Sequence, residues 1–439
     1  MSLNPLSLNN TADASGNAKP NSHGYYTAPV PSSECRAEQK LESQLTLQDL
    51  LQKLPPIPVK VFRADDLVAT PTSLGCGNFS SVKLYHCLDG GRPVAVKFLL
   101  NNGRYGGDTG SHILKELSDI LPLPQCPHLV EVLGIYATGN IPTGIVMEYC
   151  DKGNLSQYLK ASLRDKSISY EKILEFLLEI AKGLEFLHAN KVVYSDLKPD
   201  NILLKSEGDH IVVKIGDYGT ARLQDENGHA KTKTLILGDV SYAAPESLID
   251  KGMTAKTDIF SFGILSWNVM YLETLYLNNG RLGTAENAKH YLEVLYSKGK
   301  RPECPEIPMC SPSQQRLLIL IKKCWRQDAN ERPSATEIVT ELKEILELEK
   351  RNPTIVDYSF FNTLVGRDVT FVPEEATSNG VEHSSITPYT PLTSEQAVIS
   401  YPGATFHYQR DKGDTAAINA PSSAAVPIFA CSSNEDPSE

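Results

Sequence analysis

Apolar positions along this chain fall into changing rhythms. Residues 1–33 show none: they are rich in Asn, Ser, Ala and Pro and read as disordered. From 34 to 54, Leu41, Leu45, Leu47, Leu50, Leu51 and Leu54 recur at mostly helical spacing until Pro55-Pro56 stops them, which predicts a helix. Near residue 61 the rhythm becomes that of strands. Leu74-Gly75-Cys76-Gly77-Asn78-Phe79-Ser80-Ser81-Val82 reads as a glycine-rich turn between two strands, Asp89-Gly90-Gly91 as the next turn, and Val94-Ala95-Val96-Lys97-Phe98 as a third strand. Glycines 103, 106, 107 and 110 predict a flexible loop. Residues 111–121 then turn helical, with Ile113, Leu117, Ile120 and Leu121 on one face. Strands are expected at 129–136 and 143–149, followed by a short polar connection at Asp151-Lys152-Gly153-Asn154. In 170–188, Ile173, Leu177, Ile180, Leu184 and Leu187 share one helical face.

One stretch carries polar groups that this pattern does not need. Val193-Tyr194-Ser195-Asp196-Leu197-Lys198-Pro199-Asp200-Asn201 leads into Ile202-Leu203-Leu204, a polar turn at 206–209, then Ile211-Val212-Val213-Lys214-Ile215-Gly216-Asp217-Tyr218-Gly219. Two short apolar strands joined by a turn can bring Asn201 and Asp217 to one end. Oxygen ligands converging there suit Mg²⁺, and Asp196 remains to take a proton. Earlier in the chain, Gly75 and Gly77 would let backbone N–H groups approach phosphate oxygens. Lys97 can neutralise phosphate charge, and Glu116, nineteen positions on, is a carboxylate that could orient it.

Composition narrows the setting. The 439 residues suffice for one large two-lobed domain plus extra segments, and 41% hydrophobic content supports a sizeable core. A formal charge of −11 gives no general reason to expect nucleic-acid binding. Nine cysteines are scattered with no Cys-x-x-Cys pair, so Cys304 and Cys310 read as reduced thiols in a loop, and Cys76 as a small inert residue rather than a reactive one. The N-terminus lacks a basic and an apolar region, and Ser2 stands where myristoylation needs glycine. The most apolar run, 259–272, is too short and interrupted to span a bilayer. A cytoplasmic location is the expectation.

The Asp196-Leu197-Lys198-Pro199-Asp200-Asn201 and Asp217-Tyr218-Gly219 motifs, with the glycine turn, Lys97 and Glu116, resemble those of eukaryotic protein kinases. Glu246 after Ala244-Pro245, Asp258 in Asp258-Ile259-Phe260-Ser261-Phe262-Gly263, Cys324-Trp325 and Glu331-Arg332-Pro333 extend the resemblance over about residues 65–348. Lys198 makes the loop similar to serine/threonine kinases, and the region from Cys324 to Ser334 looks like the tyrosine-kinase-like group. The resemblance implies an α+β bilobal kinase fold: an N-terminal extension over 1–60, a kinase domain over 61–350 divided at 149/150, and a disordered tail over 351–439. It implies ATP and Mg²⁺ as cofactors and protein substrates. Asp196 would be the catalytic base and Lys198 would stabilise the transferring phosphoryl. Asn201 and Asp217 would hold the metal, and Lys97 with Glu116 the phosphates. Leu74, Gly75, Gly77, Val82, Ala95 and Leu203 would line the nucleotide site. Met147 would be the gatekeeper, with backbone groups of Glu148 and Cys150 on adenine. Asp258 would cap the catalytic-loop backbone, and Arg332 would pair with Glu246.

Four positions depart from the family. Ser80 replaces the third loop glycine, Tyr194-Ser195 replaces His-Arg before the aspartate, and Tyr218 replaces Phe. The missing arginine is the group that would clasp a phosphate on the activation segment, where Thr232 and Thr234 flank Lys233. A nucleotide-binding scaffold without transfer is the alternative reading. The N-terminal helix and the tail are candidate docking segments. The tail's aromatic residues Tyr358, Phe360, Phe361 and Phe371 could dock on a groove or be a solvated remnant, and Thr387-Pro388 and Thr390-Pro391 could take proline-directed phosphorylation.

Overall fold

The computed structural model describes residues 45–76, 80–99, 109–230, 240–249, 252–271, 285–307, 310–364, 371–374, 399–401 and 404–406. The expected disordered 1–33, Gly77, glycines 103, 106 and 107, Thr232, Lys233, Thr234 and the two Thr-Pro pairs lie outside them. A capping box opens the first helix: Thr46 Oγ1 accepts the Asp49 N–H at 3.2 Å, and Asp49 Oδ2 takes the Thr46 hydroxyl at 2.6 Å. Helix α1 therefore runs Leu47–Lys53, within the 34–54 expected and with Leu45 and Thr46 outside it; residues 34–44 of that expectation lie outside the described residues.

Strands β1 (Lys60–Phe62), β2 (Leu67–Cys76), β3 (Ser80–Cys87) and β4 (Pro93–Leu99) precede helix α2 (Thr109–Leu117); β5 (Val132–Thr138) and β6 (Ile141–Glu148) follow it. They form a six-stranded sheet in the order β1-β5-β6-β4-β3-β2. All its pairings are antiparallel except that of β1, which lies parallel to β5 with Lys60 opposite Gly134. Glycine is required at 134, since a Cβ there would sit 2.1 Å from the Lys60 carbonyl oxygen. Alternation along β4 buries Val94 and Val96 with Phe62, Leu67 and Val146 on one face. The other face carries Ala95 and Lys97. On that side Ile135, Ile145 and Met147 join Ile113 and Leu117 of α2 in the main core.

The second lobe is mainly helical. It comprises α3 (Leu155–Asp165), α4 (Tyr170–Ala189), β7 (Val192–Val193), β8 (Ile202–Glu207), β9 (His210–Ile215), β10 (Arg222–Leu223), α5 (Pro245–Leu248), α6 (Ala255–Tyr271), α7 (Ala285–Ser297), β11 (Lys300–Pro302), α8 (Pro312–Cys324) and α9 (Ala335–Arg351). Helix α6 is buried on every side from Thr257 to Tyr271, which explains its apolar run without a membrane. Among the described residues no helix is long and apolar enough to cross one.

Residues 351–364 and 371–374 differ from the tail expected there. Helix α10 (Tyr358–Leu364) buries Phe361 and Leu364, and the Tyr358 hydroxyl donates to the Ile168 carbonyl. Strand β12 (Phe371–Pro373) pairs antiparallel with β11. Just beyond it, Glu374 Oε2 lies 3.2 Å from the guanidinium of the fully buried Arg301. The few apolar residues of this segment have no period of their own; they pack against the main core, with Phe360 and Phe361 also edge to face at 5.3 Å. Residues 380–439 form a separate unit in which β13 (Ile399–Tyr401) pairs antiparallel with β14 (Ala404–Phe406).

Candidate active site

Three segments far apart in the chain meet at one ammonium. Lys97 Nζ lies 2.7 Å from Glu116 Oε1 on α2 and 2.8 Å from Asp217 Oδ1 after β9. Lys97 is set by register: it stands opposite Val82 on β3 and Ile145 on β6. Neighbouring Gly144 keeps that approach close, as a Cβ there would meet the Lys97 carbonyl oxygen at 2.8 Å. The Lys97 and Glu116 side chains are 8% and 7% exposed, whereas that of Asp217 is 49% exposed. Burial acts to lower the Lys97 pKa, but the two carboxylates outweigh it and hold it above the ordinary lysine value. Burial likewise pushes Asp217 up. The Lys97 charge and hydrogen bond, with the Gly219 N–H and Lys198, bring it below the usual carboxylate value.

The loop that carries Asp196 is held from below. Asp258, fully buried in the first turn of α6, accepts the Tyr194 N–H at 2.9 Å and the Ser195 N–H at 2.7 Å, with His188 Nε2 at 2.8 Å. Ser195 is thereby fixed at φ 73°, a left-handed conformation that costs a non-glycine residue energy. Tyr194 is buried, and its hydroxyl donates to the Gly216 carbonyl, tying the loop to the end of β9. Tyr218 is buried as well and donates to the carbonyls of Val130 and Ile215 at 2.8 and 2.9 Å. Both aromatic departures from the family pattern thus fill the core and satisfy their own hydroxyls.

Asp196 leaves this loop toward the cleft. Lys198 Nζ lies 2.8 Å from its Oδ2, and Asn201 Nδ2 donates to both its carbonyl oxygen and Oδ2 at 2.8 Å. Burial raises the Asp196 pKa above the ordinary value, and Lys198 opposes that rise. A small cavity beside Asp196 is lined by Ser195, Tyr242, Ala244, Met253 and Ser261. Strands β8 and β9 pair Ile202 with Ile215, and Gly216 N–H donates to the Asn201 carbonyl at 2.9 Å. Asn201 and Asp217 therefore emerge at one end of the hairpin. Among the described residues, Asn201 Oδ1 and Asp217 Oδ2 face no donor. Two hard oxygens fit Mg²⁺, which is commonly held by one or two carboxylates plus substrate phosphates and water.

The remaining described candidates stand on strands of the first lobe, on the connection between the lobes and on β8. Leu74 and Gly75 end β2, with Gly75 opposite Val82; Ala95 stands opposite Met147. Leu203 bridges to Asn154, just past the connection between the lobes. Cys150 is buried, and burial raises its thiol pKa to about 12. The Glu148 side chain has a setting that sequence reasoning missed. It is buried, Oε2 lies 2.6 Å from Lys205 Nζ, and Oε1 lies 3.2 Å from Lys214 Nζ while accepting the Glu131 N–H at 2.9 Å. This charge cluster ties the inter-lobe connection to the β8–β9 hairpin. Its only signal in the sequence is a pair of lysines on short apolar strands. At the base of the lobe, Arg332 meets Glu246 through two bonds of 2.6 and 3.0 Å.

Comparison with known proteins gives a consistent answer. The protein kinase domain family matches residues 69–342. Serine/threonine-protein kinase VIK of Arabidopsis thaliana is 32% identical over 303 residues, covering 67% of this chain and 64% of the relative. Serine/threonine/tyrosine-protein kinase HT1 of the same plant is 33% identical over 215 residues, 49% of this chain and 50% of the relative. Mitogen-activated protein kinase kinase kinase dlk-1 of Caenorhabditis briggsae is 31% identical over 275 residues, 62% of this chain and 28% of the relative. The chain thus spans between 28% and 64% of the length of these relatives.

Proposed function

The chain belongs to the protein kinase family, and on that footing we propose that it transfers the γ-phosphoryl group of ATP to serine and threonine hydroxyls of protein substrates. The observation that carries this reading is the meeting of Lys97 with Glu116 and Asp217 at 2.7 and 2.8 Å. Phosphoryl transfer asks mainly for positioning and charge neutralisation, which such a constellation supplies.

In this reading Asp196 orients the substrate hydroxyl and accepts its proton, a role its raised pKa favours. Lys198 turns from Asp196 to the transferring phosphoryl. Lys97, oriented by Glu116, holds the inner phosphates. Asn201 and Asp217 hold Mg²⁺, which when bound neutralises charge on the phosphates. Leu74, Gly75, Gly77, Val82, Ala95 and Leu203 line the nucleotide, Met147 guards the back of the site, and backbone groups of Glu148 and Cys150 take the adenine edge. The seven cysteines among the described residues are free thiols, which fits a cytoplasmic location. The scaffold alternative rested on Ser80 and Ser195, and each of the relatives named above carries a kinase name.

Transfer from radiolabelled ATP, compared between wild type and Asp196→Asn and followed by phosphoamino-acid analysis, tests the reading. Phosphoserine and phosphothreonine should form and should be lost by about 10²-fold or more in the variant. Incorporation that Asp196→Asn leaves unchanged rejects the assignment.

A further inference from the structure

The family match begins at residue 69, yet helix α1 and strand β1, which precede it, are built into the first lobe. Helix α1 packs on α2 and β6, with Leu47, Leu50 and Leu54 buried in the same core as Ile113 and Leu117. It is fastened at both ends. The Leu47 N–H donates to the Asn140 carbonyl at 2.8 Å, in the turn between β5 and β6. After Leu54 the Pro55-Pro56 pair stops the helix, and the chain enters β1, whose place beside β5 exists because Gly134 has no Cβ. The helix is thus a bracket pinned to the sheet at two points, with α2 under it.

What lies under it matters. Helix α2 has nine residues, a length at which a helix depends on tertiary packing rather than on its own backbone bonds. It carries Glu116, whose carboxylate must stay 2.7 Å from Lys97. It also packs on β6, β4 and the turn at Tyr218–Thr220. We propose that α1 is a positioning element for the phosphate site, and that Leu50, through α2, holds Glu116 within reach of Lys97. The geometry stands by itself; the consequence for transfer rests on the kinase reading.

The test uses the full chain with Leu50→Asp, Leu50→Ile, Leu51→Asp, Glu116→Gln and the Leu50→Asp/Glu116→Gln double variant. Leu51 is 38% exposed on the same helix and serves as the control. Hydrogen exchange of α2 amides is read beside kcat/KM for ATP. Leu50→Asp should raise α2 exchange and lower kcat/KM, each by about tenfold or more. Leu50→Ile should restore both, and Leu51→Asp should match wild type. In the Glu116→Gln background, Leu50→Asp should add less than about a twofold loss, because both act through one contact. Unchanged α2 protection in Leu50→Asp, or losses that multiply in the double variant, overturns the proposal. If Leu50→Asp does not fold, Thr46→Ala and Asp49→Ala undo the cap at the surface and the same α2 exchange decides. Wild-type protein without transfer sinks the kinase reading, while α2 exchange still decides the bracket.

Discussion

Two buried cations in this molecule meet carboxylates in opposite ways. Arg332 has no exposed side-chain surface and is closed on all sides. Glu246 takes two of its N–H groups, the Arg326 and Lys256 carbonyls take others at 2.8 and 2.9 Å, and the Phe260 ring lies 5.1 Å away. The planar fork matches its partners in number and direction, so nothing is left to offer a ligand. Lys97 is buried nearly as deeply, but one of its two carboxylates, on Asp217, is half exposed and keeps an oxygen that faces no donor among the described residues. A compact ammonium between one buried and one open partner can exchange the open one for phosphate. The difference teaches that burial of a charge pair does not by itself tell a structural pair from a working one; the exposure of the partner does.

The comparison breaks most visibly on activity. Lys97→Met should lower phosphoryl transfer by about 10²- to 10³-fold, the loss typical of removing one preorganised charge-stabilising group. Stability should fall less than in the arginine variant below, by thermal denaturation, because burial pushes the Glu116 carboxyl toward its neutral form. Arg332→Ala should do the reverse. It leaves Glu246 and two carbonyls facing a cavity and should cost about 3–5 kcal/mol of stability. Protein that remains folded should transfer with kcat within about threefold of wild type. If Lys97→Met unfolds the chain while Arg332→Ala only slows it, the contrast is wrong.

How much of this was legible beforehand follows the same division. The polar groups of the cleft stand on short apolar strands and tight turns, so spacing alone suggested that Asn201 and Asp217 share an end of one hairpin. What covers an apolar face is a different matter. Leu47, Leu50 and Leu54 show one helical stripe, but nothing local says that Ile113 and Leu117 lie against it. The Thr46-x-x-Asp49 pair was a readable start signal for α1, and the longer helix expected from 34 overlooked it. Glu148 was taken for its backbone, since its partners Lys205 and Lys214 come from another lobe and become neighbours only when the strands pair. Docking of Tyr358, Phe360, Phe361 and Phe371 stayed open beside a solvated remnant, because aromatics without a period do not say which surface they meet; they pack on the main core.

A third measurement sharpens the picture at Asp196. Its carboxyl is raised by burial and drawn back down by Lys198. A base works when ionised, so kcat should fall as pH drops through this pKa. Lys198→Met removes the opposing charge, the pKa rises further, and the acid limb of the kcat profile should move to higher pH. At neutral pH the loss should be about tenfold. A limb that stays put or moves to lower pH contradicts the assigned electrostatics.

The smallest expected effect lies at the position where the family has an arginine. Ser195 spends its N–H on Asp258 and its backbone on a left-handed turn, and its hydroxyl has no partner among the described residues. Lys97 is a cation that a phosphate can approach; Ser195 offers no charge at all to a phosphorylated activation segment. Ordering of that segment should therefore not depend on phosphate at Thr232 or Thr234. The Thr232→Ala/Thr234→Ala double variant should keep transfer within about tenfold of wild type, ~1.4 kcal/mol in the barrier. A larger collapse means that some other cation takes over the missing arginine's work, and that the loop built on Asp258 is only half of the device that sets the active segment.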